Sequence, residues 1–410
     1  MGKLVIEEAK RCLNCKTPMC KDGCPVRTPI NEVIQLFING DIIGAGQKLF
    51  ENNPLSVVCS LVCPHEEQCE GHCVLGRKNK PVKFGLIENY ISEYYINFIN
   101  KQPIESINKK IAIIGSGPAG ISLAILLATK GYDITIFEAH DNIGGVLRYG
   151  IPEFRLPKNI LEKLKEKLIS MGIKIRPNIL IGSVITIDDI FRDGYKAIFI
   201  GTGVWNPRAL GIKGETFGNV HYAIDYLKNP RSYNLGNRVC VIGAGNVAMD
   251  VARTAIRNGS RDVSIMYRGG LHNISAKELE VEYAKIDGVK FQLFKNPIEI
   301  LDEGIKYVQT EIIKNNEEEI IVNVDGSEAI FKVDSVIIAI GQGPRSNIVS
   351  NTIGIEVNGV GLVQTDDFGR TTREGIFASG DVVTGAKTVV EAVRMSKKVA
   401  KAIDEYVSVK

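Results

Sequence analysis

From residue 111 onward, apolar residues form short unbroken runs that end at glycines. Ile111–Ile114 leads into a glycine-rich segment and then into a mainly apolar stretch, Ile121–Lys130. The short run predicts a buried parallel strand, and the longer stretch predicts a helix. The same order recurs at Arg238–Ile242, with a predicted helix continuing to Arg257. The pattern therefore predicts an α/β fold class in which strand, glycine turn and helix occur twice.

The first glycine segment matches a dinucleotide-binding fingerprint. A second predicted strand, Asp133–Phe137, ends in Glu138 about 20 residues after the glycines, where a carboxylate can bond the adenosine ribose hydroxyls. The N-terminus of the intervening helix can hold a pyrophosphate. The candidate cofactor-binding residues here are Gly115, Gly117, Pro118, Ala119, Gly120 and Glu138.

The second glycine segment predicts a second dinucleotide site. Its candidate residues are Gly243, Gly245, Asn246, Val247 and Ala248, with alanine in place of the third glycine. The next strand, Val263–Tyr267, is followed by Arg268 rather than by an acid, and a guanidinium there can meet the 2′-phosphate of NADP. This favours NADPH, but NADH stays open because Gly269 and Gly270 follow and no full basic clamp is present.

Three further apolar runs complete the pattern. Tyr195–Gly203 and Ser335–Gly341 are predicted strands that end at glycines, and we expect the chain to cross between nucleotide-binding domains near them. Near the C-terminus, Gly375–Asp381 combines a strand with Gly380 and Asp381, and a helix begins around Thr388. Asp381 is either a ligand of the flavin ribityl or pyrophosphate region or a helix cap.

Eight of the nine cysteines lie between residues 12 and 73, which indicates that they serve one local site. The two groups are Cys12-x2-Cys15-x4-Cys20-x3-Cys24-Pro25 and Cys59-x3-Cys63-Pro64-x4-Cys69-x3-Cys73. Disulfides, structural zinc and two 4Fe–4S clusters are the three interpretations. The Cys-Pro steps, and the absence of Cys-x2-Cys pairs from the second group, favour clusters.

His65, His72 and Cys240 have simpler interpretations than metal binding or catalysis. His65 and His72 could be ligands, but solvated loop residues are the simpler explanation. Cys240 lies in a predicted strand, as a small buried residue would.

Composition and charge exclude several classes of protein. The 410 residues are 44% hydrophobic and carry a formal net charge of +3, which excludes extended disorder and argues against a nucleic-acid partner. No run of about 18 uninterrupted apolar residues occurs, so no membrane span is predicted. The acidic N-terminal segment, residues 1–8, lacks the apolar core of a signal peptide, which predicts a cytoplasmic location.

Taken together, these motifs resemble those of the small (beta) subunit family of bacterial glutamate synthase and the amino-terminal module of dihydropyrimidine dehydrogenase, over essentially the whole length. A further shared motif is Gly144–Pro157. Within it and beyond it, the resemblance adds these candidate cofactor-binding residues: Gly145, Leu147, Arg148, Arg155, Gly203 and Thr388.

The resemblance implies two interleaved clusters. The first would be held by Cys12, Cys15, Cys20 and Cys73, and the second by Cys24, Cys63, Cys69 and Glu88. Cys59 would then be a spare, although a thiolate is the softer ligand and the choice between Glu88 and Cys59 stays open.

The resemblance also implies a domain order. A helical iron–sulfur domain (1–105) precedes a discontinuous FAD-binding domain (106–230 and 341–410), into which a Rossmann-like NAD(P)-binding domain (231–340) is inserted. The implied chemistry is electron relay: NAD(P)H reduces FAD, and the clusters take the electrons one at a time. No catalytic side chain is predicted, because the cofactors carry the reaction.

Glutamate synthesis in that family also needs a glutaminase and an FMN-binding barrel, for which this chain has no residues left. We therefore expect a hetero-oligomer with a larger catalytic subunit, a glutamate synthase large subunit or a pyrimidine reductase chain. Ferredoxin-linked NAD(P) reduction or transhydrogenation is the alternative from a different class. A cluster-bearing redox sensor is the non-enzymatic alternative.

Overall fold

The computed structural model describes residues 2–78, 80–98, 105–315 and 318–409. Contacts divide the chain into two compact units. Unit 1 comprises Met1–Arg148, Glu153–Val204 and Pro344–Lys410, and unit 2 comprises Tyr149–Pro152 and Trp205–Gly343. Among the described residues, no helix is both long and apolar enough to cross a membrane.

Unit 1 begins with short helices around an apolar core. They are α1 (Gly2–Lys10), α2 (Met19–Asp22), α3 (Ile30–Ile38), α4 (Ile42–Asn52), α5 (Ser56–Val62) and α6 (Phe84–Tyr95). One face of α3 and one face of α6 bury Ile34 and Ile87 completely, together with Val5 of α1. Cys12, Cys20 and Cys73 pack against this core, and Cys69 lies within it. The core therefore fixes the loops that carry the cysteines.

The rest of unit 1 is a five-stranded parallel sheet in the order β16-β4-β1-β2-β3. Its strands are β1 (Lys110–Ile114), β2 (Asp133–Phe137), β3 (Lys174–Arg176), β4 (Ala197–Ile200) and β16 (Ile376–Ala378). Its helices are α7 (Pro118–Ala128), α8 (Val146–Tyr149), α9 (Asn159–Ser170), α10 (Ile187–Arg192), α14 (Asp381–Thr384) and α15 (Val389–Ser408). The central strands are buried on both faces, which explains their continuous apolar sequences.

Unit 2 contains a second five-stranded parallel sheet in the order β6-β14-β7-β8-β9. Its strands are β6 (Val220–Tyr222), β7 (Arg238–Ile242), β8 (Asp262–Tyr267), β9 (Lys290–Leu293) and β14 (Ser335–Ile338), and its helices are α11 (Ala223–Lys228), α12 (Asn246–Arg257) and α13 (Glu278–Ile286). The other strands are β5 (Asn206–Pro207), β10 (Lys295–Leu301), β11 (Gly304–Asn315), β12 (Glu318–Asn323), β13 (Ala329–Lys332) and β15 (Gln342–Gly343). Strands β10 to β13 form an antiparallel sheet.

The predicted α/β fold class with two Rossmann-like sheets is confirmed. Apart from the short segment Tyr149–Pro152, the chain passes from unit 1 to unit 2 after Val204 and returns after Gly343. The predicted FAD domain extended to residue 230, but β6 pairs with β14, so residues 205–230 belong to unit 2. Sequence alone did not show this, because the three residues of β6 are too few for a periodic signal.

Candidate functional site

The first glycine loop connects β1 to α7 in the way a nucleotide-binding loop requires. Gly115 has a φ of +96°, which favours glycine, and a Cβ there would lie 2.6 Å from the Gly201 carbonyl oxygen. A Cβ on Gly120 would lie 2.0 Å from the Gly115 oxygen, so this glycine allows α7 to approach the strand. A Cβ on Gly117 would meet nothing within 4 Å. Two glycines thus serve packing, and the third leaves open space.

Helix α7 presents free backbone amides at that open space. It begins at Pro118, and Gly117 at its N-cap provides no side-chain hydrogen bond. Proline suits this position because the first amides of a helix have no partner within the helix. The positive end of the helix dipole adds to the attraction for an anion.

Glu138 follows β2 and lies beside the loop, as predicted. It is 4% exposed, and one carboxylate oxygen accepts hydrogen bonds from the Ser116 backbone N (2.9 Å) and Oγ. The other accepts from the His140 backbone N (2.8 Å) and Nδ1 (3.0 Å). Burial raises the pKa of Glu138, but these hydrogen bonds outweigh it and lower the pKa overall. Glu138 therefore presents an ionised carboxylate beside the first glycine loop.

The Gly144–Pro157 motif packs against the same loop. The Gly144 amide donates to the Ser116 carbonyl oxygen at 3.0 Å, and a Cβ on Gly145 would lie 2.8 Å from the Gly117 Cα. Arg148 donates from Nε to the Ile143 carbonyl oxygen at 2.8 Å and pairs with Glu162. Leu147 is fully buried. The half-buried Arg155 lies between α8 and α9.

The C-terminal motif returns to α7. Gly380 has a φ of +77°, and a Cβ there would lie 3.1 Å from the Ala119 Cβ. Asp381 is the first residue of α14 and accepts a hydrogen bond from the Lys387 backbone N. Burial raises the pKa of Asp381 to about 6. Thr388 is the N-cap residue of α15, and its backbone N and Oγ1 both donate to Glu391 Oε2.

These features fit a bound flavin dinucleotide. The Ser379 hydroxyl, next to Gly380, is buried and has no hydrogen-bond partner in the described part of the chain. A buried hydroxyl without a partner is costly unless a ligand satisfies it. Gly203, with a φ of +70°, lies in the loop after β4, whose residues Gly201 and Thr202 touch Gly115. The first loop, the Gly144 motif and the C-terminal motif therefore surround one cradle.

Unit 2 repeats the first loop between β7 and α12. Gly243 has a φ of +122°, and a Cβ there would lie 2.4 Å from the Ala339 carbonyl oxygen. Helix α12 begins at Asn246 with Gly245 at its N-cap and no side-chain cap, while Asn246 Oδ1 accepts from the Lys277 amide at 2.9 Å. Val247 is partly exposed and Ala248 is buried. These residues fit a second pyrophosphate.

Arg268 is exposed directly after β8, where the sequence placed it. Its carbonyl oxygen accepts a hydrogen bond from Thr310 Oγ1 at 2.6 Å, so its backbone is fixed. Ser275 lies near the loop, because its Oγ is 3.6 Å from the position of a Cβ on Gly245. Arg268 thus offers one cation at the end of the strand.

The first predicted cysteine set shares one pocket in the helical region. Cys12, Cys15, Cys20 and Cys73 line it, with Cys69 at its wall. Burial, together with the charges of Cys73, Cys12 and Cys15, raises the pKa of Cys20 to about 11. The oxygen of the Asn31 side-chain amide, which also lines the pocket, is buried without a partner among the described residues.

The second predicted set lies close enough to Glu88 for their charges to interact. This residue is 5% exposed, and burial, followed by the charge of Cys59, raises its pKa well above the ordinary value. The charge of Glu88 in turn raises the pKa of three thiols, those of Cys24, Cys63 and Cys69. Cys59 exchanges a hydrogen bond with Cys63 and accepts one from Asn53, which lowers the pKa of Cys59.

Both sets fit metal clusters by their chemistry. All nine cysteines are free thiols. Buried thiolates are unfavourable without a positive partner, which iron would supply. Across residues 2–78, 80–98, 105–315 and 318–409, no three His, Cys, Asp or Glu side chains are arranged around one metal ion.

Several residues at these sites were not predicted from the sequence. Ser116 was not singled out, although its position between Gly115 and Gly117 indicates that it lies in the nucleotide-binding loop. Ser379 could have been predicted in the same way, because it directly precedes Gly380. No signal in the sequence indicated Asn53, Thr28 or Lys397, because their contacts come from distant parts of the chain.

Two family profiles match the chain. Residues 109–396 match the family described as pyridine nucleotide-disulphide oxidoreductase. Residues 2–98 match the family described as dihydropyrimidine dehydrogenase domain II, 4Fe-4S cluster. The two matches follow each other along the chain.

Curated relatives match over nearly the whole chain. The glutamate synthase (NADPH) small chain of Halomonas elongata is 34% identical over 98% of this chain and 90% of its own length. The NAD-dependent dihydropyrimidine dehydrogenase subunit PreT of Salmonella typhimurium is 30% identical over 98% of this chain and 94% of its own.

Among solved structures, FprA from Mycobacterium tuberculosis in complex with NADPH superposes with a TM-score of 0.63. It is 18% identical and covers 75% of this chain and 85% of its own. At that identity the likeness shows the fold alone.

Proposed function

This chain belongs to the glutamate synthase small-chain family within the pyridine nucleotide-disulphide oxidoreductases, and from that membership we propose that it delivers electrons from NADPH to a larger catalytic subunit. It is an NAD(P)H-dependent flavin oxidoreductase with an iron–sulfur domain. The profile over residues 2–98 supports the 4Fe–4S interpretation over disulfides and zinc. The observation that carries the proposal is that one chain combines two glycine loops, each followed by a helix whose N-terminus has no side-chain cap, with two sets of half-buried or buried thiols.

We assign FAD to unit 1 and the nicotinamide dinucleotide to unit 2. When bound, FAD accepts a hydride and releases electrons singly to iron–sulfur clusters. The residues of this chain bind and orient: α7 would hold the FAD pyrophosphate, and α12 would hold that of the nicotinamide dinucleotide. Asp381 would meet the ribityl or pyrophosphate region of FAD. No side chain is assigned to proton transfer.

We propose two 4Fe–4S clusters with the ligand sets Cys12, Cys15, Cys20, Cys73 and Cys24, Cys63, Cys69, Glu88. The central position of Glu88 supports its inclusion, since its charge acts on all three thiols of the second set. Cys59 is the competing candidate, because it interacts with Cys63 and its charge acts on Glu88, and it also accepts a hydrogen bond from Asn53. Asparagine as a donor to sulfur suits a structural thiol as well as a ligand, so the two candidates need a direct test.

Matched variants test the ligand choice. Glu88→Ala is expected to lower the iron content or change the EPR spectrum of one cluster, and Cys59→Ser is expected to leave both unchanged. The reverse pattern would assign Cys59 as the ligand and remove Glu88 from the set. Circular dichroism of both variants serves as the control for folding.

We propose that the electron acceptor is a glutamate synthase large subunit. The relative from Halomonas elongata supports this, because it is named a glutamate synthase small chain and the match covers 90% of its length. A pyrimidine-reducing partner is the second candidate, supported by the match to PreT and by the profile over residues 2–98.

The deciding experiment is anaerobic purification of the tagged full chain from its native cells, with mass spectrometry of the proteins that accompany it. We expect a partner with a glutaminase and an FMN-binding barrel. NADPH oxidation coupled to glutamate formation should require both chains. A dihydropyrimidine dehydrogenase-type partner would replace the proposal with pyrimidine reduction, and ferredoxin-dependent activity without a large chain would replace it with ferredoxin-linked reduction.

A further inference from the structure

A chain of hydrogen bonds crosses unit 1 from the C-terminal helix to a cysteine. Lys397 on α15 donates from Nζ to the Asn52 carbonyl oxygen (2.9 Å) and to Asn52 Oδ1 (2.8 Å). Asn52 Nδ2 donates to Thr28 Oγ1 at 3.2 Å. Thr28 Oγ1 lies 3.3 Å from Cys24 Sγ. Three side chains thus lead from an ammonium group to a sulfur atom.

The donor-to-acceptor direction of these hydrogen bonds follows from Lys397, where the series begins. An ammonium group only donates, so it fixes the oxygen end of the Asn52 amide toward α15 and turns the NH2 end toward Thr28. The Thr28 oxygen then accepts from Asn52, and its single proton is left for Cys24. Each link is therefore oriented toward the sulfur, as a thiolate requires.

The backbone around Cys24 supports this orientation. The Arg27 amide donates to the Cys24 carbonyl oxygen at 2.8 Å, and Arg27 has a φ of +53°. This tight turn places the Thr28 side chain on the sulfur. Thr28 is 2% exposed, so water competes little for its hydroxyl.

The other end is tied to the candidate flavin cradle. Ser396, next to Lys397, donates from Oγ to the Ala119 carbonyl oxygen at 3.0 Å, in the first turn of α7. Lys397 is half-buried, which lowers its pKa, while the charge of Cys24 acts in the opposite direction. The positive charge is thus held between the cradle and the cysteine set.

We infer that Lys397, Asn52 and Thr28 form a positioning relay that tunes the reduction potential of the cluster bound by Cys24. The inference rests on the proposed assignment of Cys24 as a ligand. Hydrogen bonds to cluster sulfurs and nearby positive charge stabilise the reduced cluster, which carries one more negative charge. The relay therefore raises the potential of the cluster that adjoins the flavin-binding half of unit 1.

The test is an anaerobic redox titration of the full protein, followed by EPR of its clusters. Thr28→Val removes the hydroxyl at nearly constant volume, and Lys397→Met removes the charge. Both are expected to shift the midpoint potential of one and the same cluster signal to more negative values. Thr28→Ser should restore the wild-type potential. Lys398→Met, on the next and exposed residue of α15, is the matched control and should cause no shift.

The double variant separates a relay from a charge acting through space. If the relay operates, Lys397→Met in the Thr28→Val background should shift the potential by clearly less than it does alone. A full, additive shift would overturn the relay, as would an unchanged potential in Thr28→Val with the iron content intact. Should Thr28→Val lose the cluster, Lys397→Met with Asn52→Leu gives the same cycle. Wild-type protein without any cluster signal would overturn the proposed function itself.

Discussion

Glu138 and Asp381 lie at the unit 1 cradle, and their surroundings shift their pKa values in opposite directions. Four hydrogen bonds hold Glu138 ionised despite its burial, whereas Asp381 receives one backbone donor and its pKa rises to about 6. Glu138 was predictable because the fingerprint fixes its distance from the glycines. The state of Asp381 was not, because it depends on how deeply the C-terminal motif is buried.

Asp381→Asn is expected to stabilise the flavin-free protein at neutral pH. Unfolded aspartate ionises near pH 3.8 and the folded residue near 6, so the folded chain binds more protons between these values. Stability is therefore lost as the pH rises through that window. The variant should recover up to about 3 kcal/mol at pH 7 and nothing below pH 4. Urea unfolding at both pH values measures this, and an equal gain at both would contradict it.

Arg268→Gln is expected to raise the KM for NADPH about tenfold and to leave that for NADH nearly unchanged, because the guanidinium would meet only the 2′-phosphate. Steady-state kinetics with an artificial acceptor measures both values. Arg261→Gln, at an exposed arginine before β8, serves as the control. An equal change for both dinucleotides would show that Arg268 does not discriminate between them.

At the scale of elements, glycine geometry explains why the two strand–turn–helix units could be predicted. Gly115 and Gly243 both have positive φ, and at both positions a Cβ would clash with a neighbouring carbonyl oxygen. A glycine is therefore required at each position, and the local sequence predicts the turn. Helix α15 is different. Its start was predicted at Thr388, but its partners on α7 and at Asn52 lie hundreds of residues away, and nothing in the local pattern of α15 encodes them.

Alanine substitutions at two glycines of the first loop should distinguish a packing role from a role in FAD binding. Gly120→Ala places a Cβ 2.0 Å from a backbone oxygen and should destabilise unit 1 by about 3 kcal/mol. Gly117→Ala meets no protein atom within 4 Å and should leave stability nearly unchanged while lowering the FAD content, because the methyl group occupies the open space. Thermal unfolding and flavin absorbance measure the two effects. Equal flavin content in Gly117→Ala and wild type would place the pyrophosphate elsewhere.

At the scale of the whole molecule, the order of the parts was predictable and one boundary was not. The cysteine groups and both glycine loops are continuous in sequence, so each predicts its own local structure. Residues 205–230 were predicted to belong to the FAD-binding domain but lie in unit 2, because β6 is identified only by its pairing with β14. The cluster ligands were predicted through resemblance, and the surroundings of Glu88 could not be, because they combine three separate segments.

Cys20→Ser is expected to uncouple the two halves of the electron path. The variant should lose one cluster, while anaerobic NADPH should still bleach the flavin, since the dinucleotide sites lie in other elements. Partner-dependent turnover should fall to near background. Stopped-flow absorbance and coupled turnover measure the two steps, with Cys240→Ser, a fully buried strand residue, as the control for thiol loss. Full turnover in Cys20→Ser would exclude the cluster from the path.

The edge position of β16 has a consequence for synthesis. Strand β16 pairs with β4 in the register Ile376 to Ile198, bridges Arg370 on its other side through Phe377, and leaves the ribosome after the whole of unit 2. Until then, the newly made β4 has an open, apolar edge able to pair with another nascent chain. Translation that stops before residue 376 would leave that edge permanently exposed. Completion of the C-terminus is therefore also the step that protects the first sheet from aggregation.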